Sequence, residues 1–434
     1  MKRRIVTLLL LSFMGSAYVQ AETLSLARVL AQVAQTHPEI HSAKSKVQAA
    51  KAGRVAESWL PDPEMGVEFE EVPFRKPSAG NAGMTNYMVK QEIPFPTKLT
   101  TQSLALRDQT RAQESLSIGV SREVLFDTKK TYYELVAAQN ATSAVLSMIG
   151  QYKQMVNSLE GTYAAPSTDK ASAVGGGMGA PSVSDDSMSA DSGLADILMA
   201  KMKRAELDAK LSDLQHRRDA ARARLNLLMG REARAPLNVK VPATKSLSID
   251  VKTLESKVTL QNADLSAMRH LIDKADKDVS LAKQNYLPDF MPEFAYNQRQ
   301  DMENAYTLKL NLKVPLWLHK NAASVRQAKT EREGMAFEYR SELLNAKADL
   351  HYLWEHAHRH ASMLGKYKNE VLPLARSAYN TAVSSYQIDR GAVLATTALS
   401  SLINYHQAQL MYWDLWMDYM IEYAMLEKLA GEDL

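Results

Sequence analysis

The hydrophobic period of this chain changes from 2 to 3.5 at a proline, and it does so twice. In the first half, Met65, Val67 and Phe69 alternate with Glu64, Gly66, Glu68 and Glu70. A second run then sets Tyr87, Val89, Ile93 and Phe95 against Met88, Lys90 and Glu92. In the second half, Phe294 and Tyr296 alternate with Glu293, Ala295 and Asn297, and then Leu308, Leu310, Leu312 and Val314 with Lys309, Asn311 and Lys313. Such runs read as β-strands at about 63-72, 84-95, 290-299 and 305-315. Both pairs stop at a proline, Pro94 or Pro315, which cannot donate to a strand ladder. Both are preceded by the same tripeptide, Leu60-Pro61-Asp62 and Leu287-Pro288-Asp289. Farther upstream, Leu24-Ser25-Leu26 is echoed by Leu247-Ser248-Ile249, and His37-Pro38-Glu39-Ile40 by Asn262-Ala263-Asp264-Leu265. The chain thus divides into repeats 22-245 and 246-434, read as one intertwined structural unit.

Beyond each proline the apolar residues step by four and three. The first seam is Thr131, Leu135, Ala138, Thr142, Val145, Ile149, Tyr152, Val156, Leu159 and Tyr163. The second is Leu353, Ala357, His360, Leu364, Tyr367, Val371, Leu374, Ala378, Thr381 and Ser385. A further helix follows each, with seams Leu207, Leu211, Leu214, Arg218, Ala221, Leu225 and Leu228, and Leu399, Ile403, His406, Leu410, Trp413, Met417 and Met420. A 3.5-residue period imposes left-handed coiled-coil packing. Pro94 to Tyr163 spans 69 residues and Pro315 to Tyr386 spans 71. At 1.5 Å per residue each stretch reaches roughly 100 Å, longer than a compact domain of this mass. Pro96 falls at the very start of the first stretch, whereas Pro373 lies well inside the second and predicts a bend there.

Residues 1-21 read as an export signal: Lys2, Arg3 and Arg4, the apolar run Ile5 to Leu11, and the small-residue cleavage pattern Val19-Gln20-Ala21. The chain has 52 Lys+Arg against 49 Asp+Glu, and those three bases fall in the leader, so the mature chain is formally neutral. Nucleic acid is therefore not an expected partner. Absence of cysteine excludes disulfides, thiolate ligands and an N-terminal lipid on cysteine. After the leader no run reaches the roughly 18 apolar residues of a spanning helix, so a membrane would be crossed by strands. Four strands cannot close a barrel. Two copies would give eight strands and a filled interior, whereas three give twelve and room for a channel. No nucleophile elbow, His-Glu-x-x-His or dinucleotide fingerprint is present, and neither an enzyme nor a cofactor is expected.

The duplicated order of Leu-Pro-Asp, strand pair, very long coiled-coil helix ending near Tyr163 or Tyr386, and second helix resembles the TolC-like outer-membrane efflux family over essentially the whole mature chain. The resemblance implies a mainly α protomer with a small β part, duplicated as helix-strand-strand-helix-helix. Three protomers would form a trimeric 12-stranded β-barrel continued by a 12-helix coiled-coil periplasmic tunnel. It implies the outer membrane of a Gram-negative bacterium as location, a homotrimer embedded in outer-membrane lipid, and docking to a periplasmic adaptor and an inner-membrane pump. The heavy-metal branch, served by resistance-nodulation-division pumps, is the nearest, so metal cations are the expected cargo. Drug efflux and type I secretion are the alternatives, followed by a soluble periplasmic coiled-coil scaffold.

Tyr163, Asp196, Tyr386, Asp389 and Arg390 are the expected tunnel-tip and adaptor-contact residues. Members of the family often carry aspartates nine and twelve residues after the second tip tyrosine; here those positions are Ala395 and Ala398. Asp389 and Asp196 are the acids nearest the tip, and threefold symmetry would turn a lumen-facing carboxylate into a ring of three. Against the second repeat, the first carries a Ser-, Gly- and Ala-rich insertion at about 165-192, a composition that cannot bury a core. No resident metal is expected. The side chains that could bind one are Met178 and Met188 in the insertion, and His356 with His360 at i, i+4 spacing. His360, however, sits at the seam position matching Ala138, which points to packing or interhelical hydrogen bonding. Tyr405, Tyr412, Trp413, Trp416, Tyr419 and Tyr423 follow the last seam, as core aromatics do.

Overall fold

The computed structural model describes residues 22–75, 77–164, 186–300, 302–388 and 392–434. The leader, Met178, Asp389 and Arg390 lie outside them. Strand β1 (Glu22–Leu24) is followed by α1 (Leu26–Thr36) and α2 (Pro38–Glu57), then by the hairpin β2 (Glu64–Glu70) and β3 (Met84–Lys90). Helix α3 runs without interruption from Pro96 to Ala164, 69 residues, and α4 covers Asp186–Leu228. The second half repeats the order: β4 (Leu237–Val239), α5 (Val251–Gln261), α6 (Ala263–Gln284), β5 (Asp289–Arg299), β6 (Ala305–Lys313), α7 (Leu318–Lys366), α8 (Leu372–Ile388) and α9 (Ala392–Ala430). The strands fall inside or within a residue of the spans read from alternation. Helix α4 begins at Asp186, so the last part of the span read as the insertion, 186–192, is helical, and 165–185 lie outside the described residues.

The chain forms two compact units, each drawing segments from both repeats. One consists of the residues up to Gln35 with Thr128–Lys245 and Leu364–Met417. In it β1 pairs in parallel with β4, Leu24 opposite Val239. Tyr132 and Leu135 on α3 and Leu225 and Met229 at the end of α4 are buried with Leu24 and Leu237. The buried Tyr132 hydroxyl lies 2.7 Å from the Lys240 carbonyl and 3.0 Å from that of Leu24, tying the long helix to both strands at their shared C-terminal end. Trp416 stacks edge-on against Tyr133 and donates its indole N–H to Thr244 Oγ1 at 3.1 Å.

Burial pushes the Tyr132 phenol up to about 12, with its backbone hydrogen bonds acting weakly in the other direction. A raised acid pKa means stability that is complete below the free value near 10 and is lost as pH climbs towards 12. Tyr132→Phe should therefore cost about 1–2 kcal/mol at neutral pH, for the lost hydrogen bond to buried carbonyls. It should also flatten the alkaline limb of stability. Thermal unfolding of both proteins between pH 8 and 12 checks this.

The seams behave as the period demands, with one displacement. Thr131, Leu135, Ala138, Thr142, Val145, Tyr152 and Val156 are buried. In the second repeat Ala357 and Leu364 are buried, but Leu374 is 69% exposed and Val371, Ala378 and Thr381 are also exposed. Leu372, Ala375, Tyr379, Ala382 and Tyr386 take their place, each one residue later. The cause is a π-helical turn at Tyr367–Val371, closed by the Leu372 amide on the Tyr367 carbonyl. Pro373 has no N–H and its ring crowds the carbonyl four residues back. A π turn absorbs that conflict by adding one residue to the helix, and every later residue rotates onto its neighbour's former face. Tyr386 then joins Met148, Tyr152, Val156, Leu207, Leu399 and Leu402 in one buried cluster.

The other unit holds Thr36–Asp127, Ser246–Met363 and Asp418–Leu434, including β2, β3, β5 and β6. Asn262 caps α6, its Oδ1 accepting from the amides of Asp264 (3.0 Å) and Leu265 (3.1 Å). The matching position before α2 is His37, whose side chain makes no cap, and Pro38 supplies the fixed φ instead. Tyr419 and Tyr423 on α9 are buried in this unit, as Trp416 is in the first, as core aromatics rather than a membrane belt.

Candidate functional site

The four longer strands form one antiparallel sheet in the order β2-β3-β5-β6. Its register places Met65 opposite Val89, Val67 opposite Tyr87, Tyr87 opposite Tyr296, Val89 opposite Phe294, and Phe294 opposite Leu308. All apolar residues of the four alternations therefore share one face. That face is bare: Leu308 is 83% exposed and Leu310 65%, with Met65, Val67, Phe69 and Tyr306 exposed beside them. The opposite face is polar; Asn86 and Asn297 on its central strands are each 6% exposed, whereas Glu64, Glu68, Lys309, Asn311 and Lys313 on its edge strands are exposed. The sheet is inside out by the standard of a protein dissolved in water, where the apolar face would be buried. The 7-residue β2 and β3 rise about 23 Å, and the 9-residue β6 and 11-residue β5 about 30–36 Å, against the roughly 25 Å apolar band of a barrel. Exposed Trp59 and Trp317 flank the strand ends, where interfacial aromatics belong. Among the described residues no helix is long and apolar enough to cross a membrane.

Charge on the polar face is matched strand by strand. Glu64, Lys90, Glu293 and Lys309 stand side by side across all four strands. Lys90 Nζ lies 3.3 Å from Glu64 and Lys309 Nζ 3.0 Å from Glu293. Asn86 donates to Glu70 at 2.8 Å and Asn297 to Thr307 at 2.6 Å.

Where the sheet meets α3, Asp289 organises the junction. Its Oδ1 accepts from the Phe95 amide (2.9 Å) and from Lys98 Nζ (2.8 Å), and Lys98 Nζ also donates to the Leu287 carbonyl (3.0 Å). Lys98 is buried. The Asp of the repeated Leu-Pro-Asp thus fixes the turn from strand to helix. Sequence reasoning used that tripeptide as a repeat marker and missed its role; the recurrence of an acid before a strand was the signal.

His360 Nδ1 and Glu422 Oε2 on α9 are 2.8 Å apart, and His356 Nδ1 is 3.6 Å from the other carboxylate oxygen. Arg359 Nη2 reaches His356 Nδ1 (3.3 Å) and His360 Nε2 (3.1 Å). The guanidinium thus sits against one nitrogen of each ring and places a fixed positive charge between them, which opposes a cation there. No cluster of three metal-ligating side chains occurs among the described residues. Zinc titration is accordingly expected to leave the melting temperature within about 1 °C of the metal-free value, because binding at Kd well below the titrant concentration would raise it. Tyr163 lies in the last turn of α3, and Met188 and Asp196 in the first turns of α4. Ala398 is fully buried beside Tyr386, so an aspartate there would face a core.

No protein-family model matches the chain, and no curated protein matches it by sequence. Solved structures match its fold. CusC, described for conformational changes accompanying folding and transmembrane channel formation, superposes with a TM-score of 0.73 at 13% identity, covering 94% of this chain and 92% of its own. The outer-membrane channel OprN gives 0.74 at 15% identity, covering 94% and 89%. The Campylobacter jejuni CmeC outer membrane channel gives 0.73 at 13% identity, covering 94% and 85%. The chain has the fold of the TolC-like outer-membrane channels.

Proposed function

We propose that three copies of this chain form an outer-membrane channel, with a 12-stranded barrel in the lipid and a helical tunnel reaching into the periplasm. The observation that carries the proposal is the inverted sheet. Exposed leucines and tyrosines find an apolar solvent in lipid, and the polar face then lines a water-filled path. The fold shared with channels over nearly the whole chain supports it. In this role the protein performs no chemistry. It is the exit duct of a tripartite efflux pump, energised by an inner-membrane resistance-nodulation-division pump through a periplasmic adaptor that docks near Tyr163, Asp196, Tyr386, Asp389 and Arg390. Tyr386 is buried within its own unit, so direct contact there requires the tip helices to rearrange.

Heavy-metal cations are the proposed cargo, on the strength of the sequence resemblance. Drug efflux or type I secretion is the alternative, because charge on the polar face is nearly balanced, Glu64, Glu68, Glu70, Asp289 and Glu293 against Lys90, Arg299, Lys309 and Lys313, and so concentrates cations only weakly. Deletion of the gene should sensitise cells to copper, silver, zinc, cobalt or cadmium if metals are carried. Unchanged metal tolerance with new sensitivity to dyes or antibiotics would assign the drug route. A monomer in the periplasmic fraction would remove the channel proposal altogether.

A further inference from the structure

The sheet ends in two unpaired edges, β2 and β6, and the internal junction between the repeats shows how they meet. At that junction β3 lies against β5, with Lys90 opposite Glu293, Val89 opposite Phe294 and an isolated bridge between Ile93 and Phe290. By the repeat, β6 is the counterpart of β3 and β2 the counterpart of β5. Asp62 stands where Asp289 stands, and Leu316 and His319 stand where Phe95 and Lys98 stand. Asp62 and His319 are exposed, and neither makes a hydrogen bond among the described residues.

We infer that β6 of one copy pairs antiparallel with β2 of the next in the register of the internal junction, Leu310 opposite Val67, latched by Asp62 against the Leu316 amide and the His319 side chain. This rests on the oligomeric channel proposed above and specifies its seam. Leu308 then faces Phe69 and Leu312 faces Met65 on the lipid side. On the polar side Lys309 faces Glu68 and Lys313 faces Glu64, two opposite-charge pairs that the repeat alignment was not chosen to produce. Slipping by one residue turns every apolar residue to the wrong face. A slip by two towards Glu70 leaves Lys313 opposite Gly66, and a slip by two the other way leaves Lys309 opposite Gly66. Only the inferred register matches each lysine to an acid within the strand, which is how cross-strand charges stabilise a sheet.

Barrel geometry is compatible with this register and excludes the slip that sets Lys309 opposite Gly66, whose tilt would be only about 19°. The row Glu64, Lys90, Glu293, Lys309 continues to Glu68 of the next copy, a climb of four residues for every four strands. That is about 13 Å of rise over about 19 Å of sheet, a strand tilt of about 35°, at the lower end of the 35–45° of closed barrels. The seam is weaker than the internal junction in one respect. Pro63 stands where Phe290 stands and cannot return the amide bond that Phe290 makes to the Ile93 carbonyl at 2.9 Å.

Because the chain contains no cysteine, engineered pairs report the register without background. In outer membranes treated with a mild oxidant, K309C/E68C and L310C/V67C should give disulfide-linked dimers and trimers on non-reducing gels. K309C/E70C and K309C/G66C should stay monomeric. Cross-linking of a slipped pair in place of K309C/E68C would overturn the register while leaving the oligomer intact. Absence of every cross-link together with a monomeric native mass would overturn the oligomeric channel as well. For the latch, D62N should lower the temperature at which the detergent-solubilised oligomer dissociates by several degrees while preserving the L310C/V67C cross-link. An unchanged dissociation temperature would remove the latch.

Discussion

Leu310→Arg should strip the protein from the outer membrane, whereas Asn311→Arg, one residue along the same strand, should not. Leu310 is 65% exposed, and on a water-facing surface such a change stays within about 0.5 kcal/mol. On the lipid face near the middle of a barrel strand, arginine costs about 2–4 kcal/mol per copy, and a trimer incurs it three times. At position 311 the side chain points to the polar face, where an added cation meets water and the carboxylates of neighbouring strands. The channel should survive there and shift its selectivity towards anions. Quantifying detergent-resistant oligomer in outer-membrane fractions separates the two variants, and planar-bilayer reversal potentials test the second. If Leu310→Arg accumulated normally as a soluble protein with an unchanged melting temperature, the inverted sheet would have to be explained by a protein partner instead of lipid.

The legible part of this fold is the part governed by period. Alternation located all four long strands to within a few residues, because the side-chain period of a strand is fixed at 2 and a one-residue error would reverse the faces. The 3.5-residue seam located α3 equally well. It misplaced the residues after Tyr367, since a sequence does not announce that a π turn precedes Pro373, and that turn advances the register by one. Lys98 escaped notice for another reason. A lone lysine after a proline resembles any surface base, and its burial depends on Asp289 and the Leu287 carbonyl, which lie far off in the chain. His360 was placed on the packing side by its seam position, and it reaches Glu422 on α9, 62 residues away. The tip lay largely beyond such reasoning, because Ser- and Gly-rich sequence carries no period.

Breaking the junction at Asp289 should be the most damaging single change within one protomer. Asp289→Ala leaves the buried Lys98 ammonium with only the Leu287 carbonyl and leaves the Phe95 amide without an acceptor. Removing one member of a buried ion pair costs about 3–5 kcal/mol, because the surviving charge remains desolvated and unmatched. Lys98→Met alone should cost less, since Asp289 retains the Phe95 amide and is itself only partly buried. The pair Lys98→Met with Asp289→Ala should lie well below the sum of the singles, because the second change removes the charge that the first stranded. The same substitution at Asp62 tests whether the two junctions truly correspond. Asp62→Ala touches no partner within the protomer, so its cost in an isolated, detergent-dissociated chain should be below about 0.5 kcal/mol. Its effect should emerge only in the assembled oligomer, as a lowered dissociation temperature. Equal losses at Asp62 and Asp289 in the dissociated chain would mean that Asp62 already serves its own protomer, leaving nothing for a neighbour to engage.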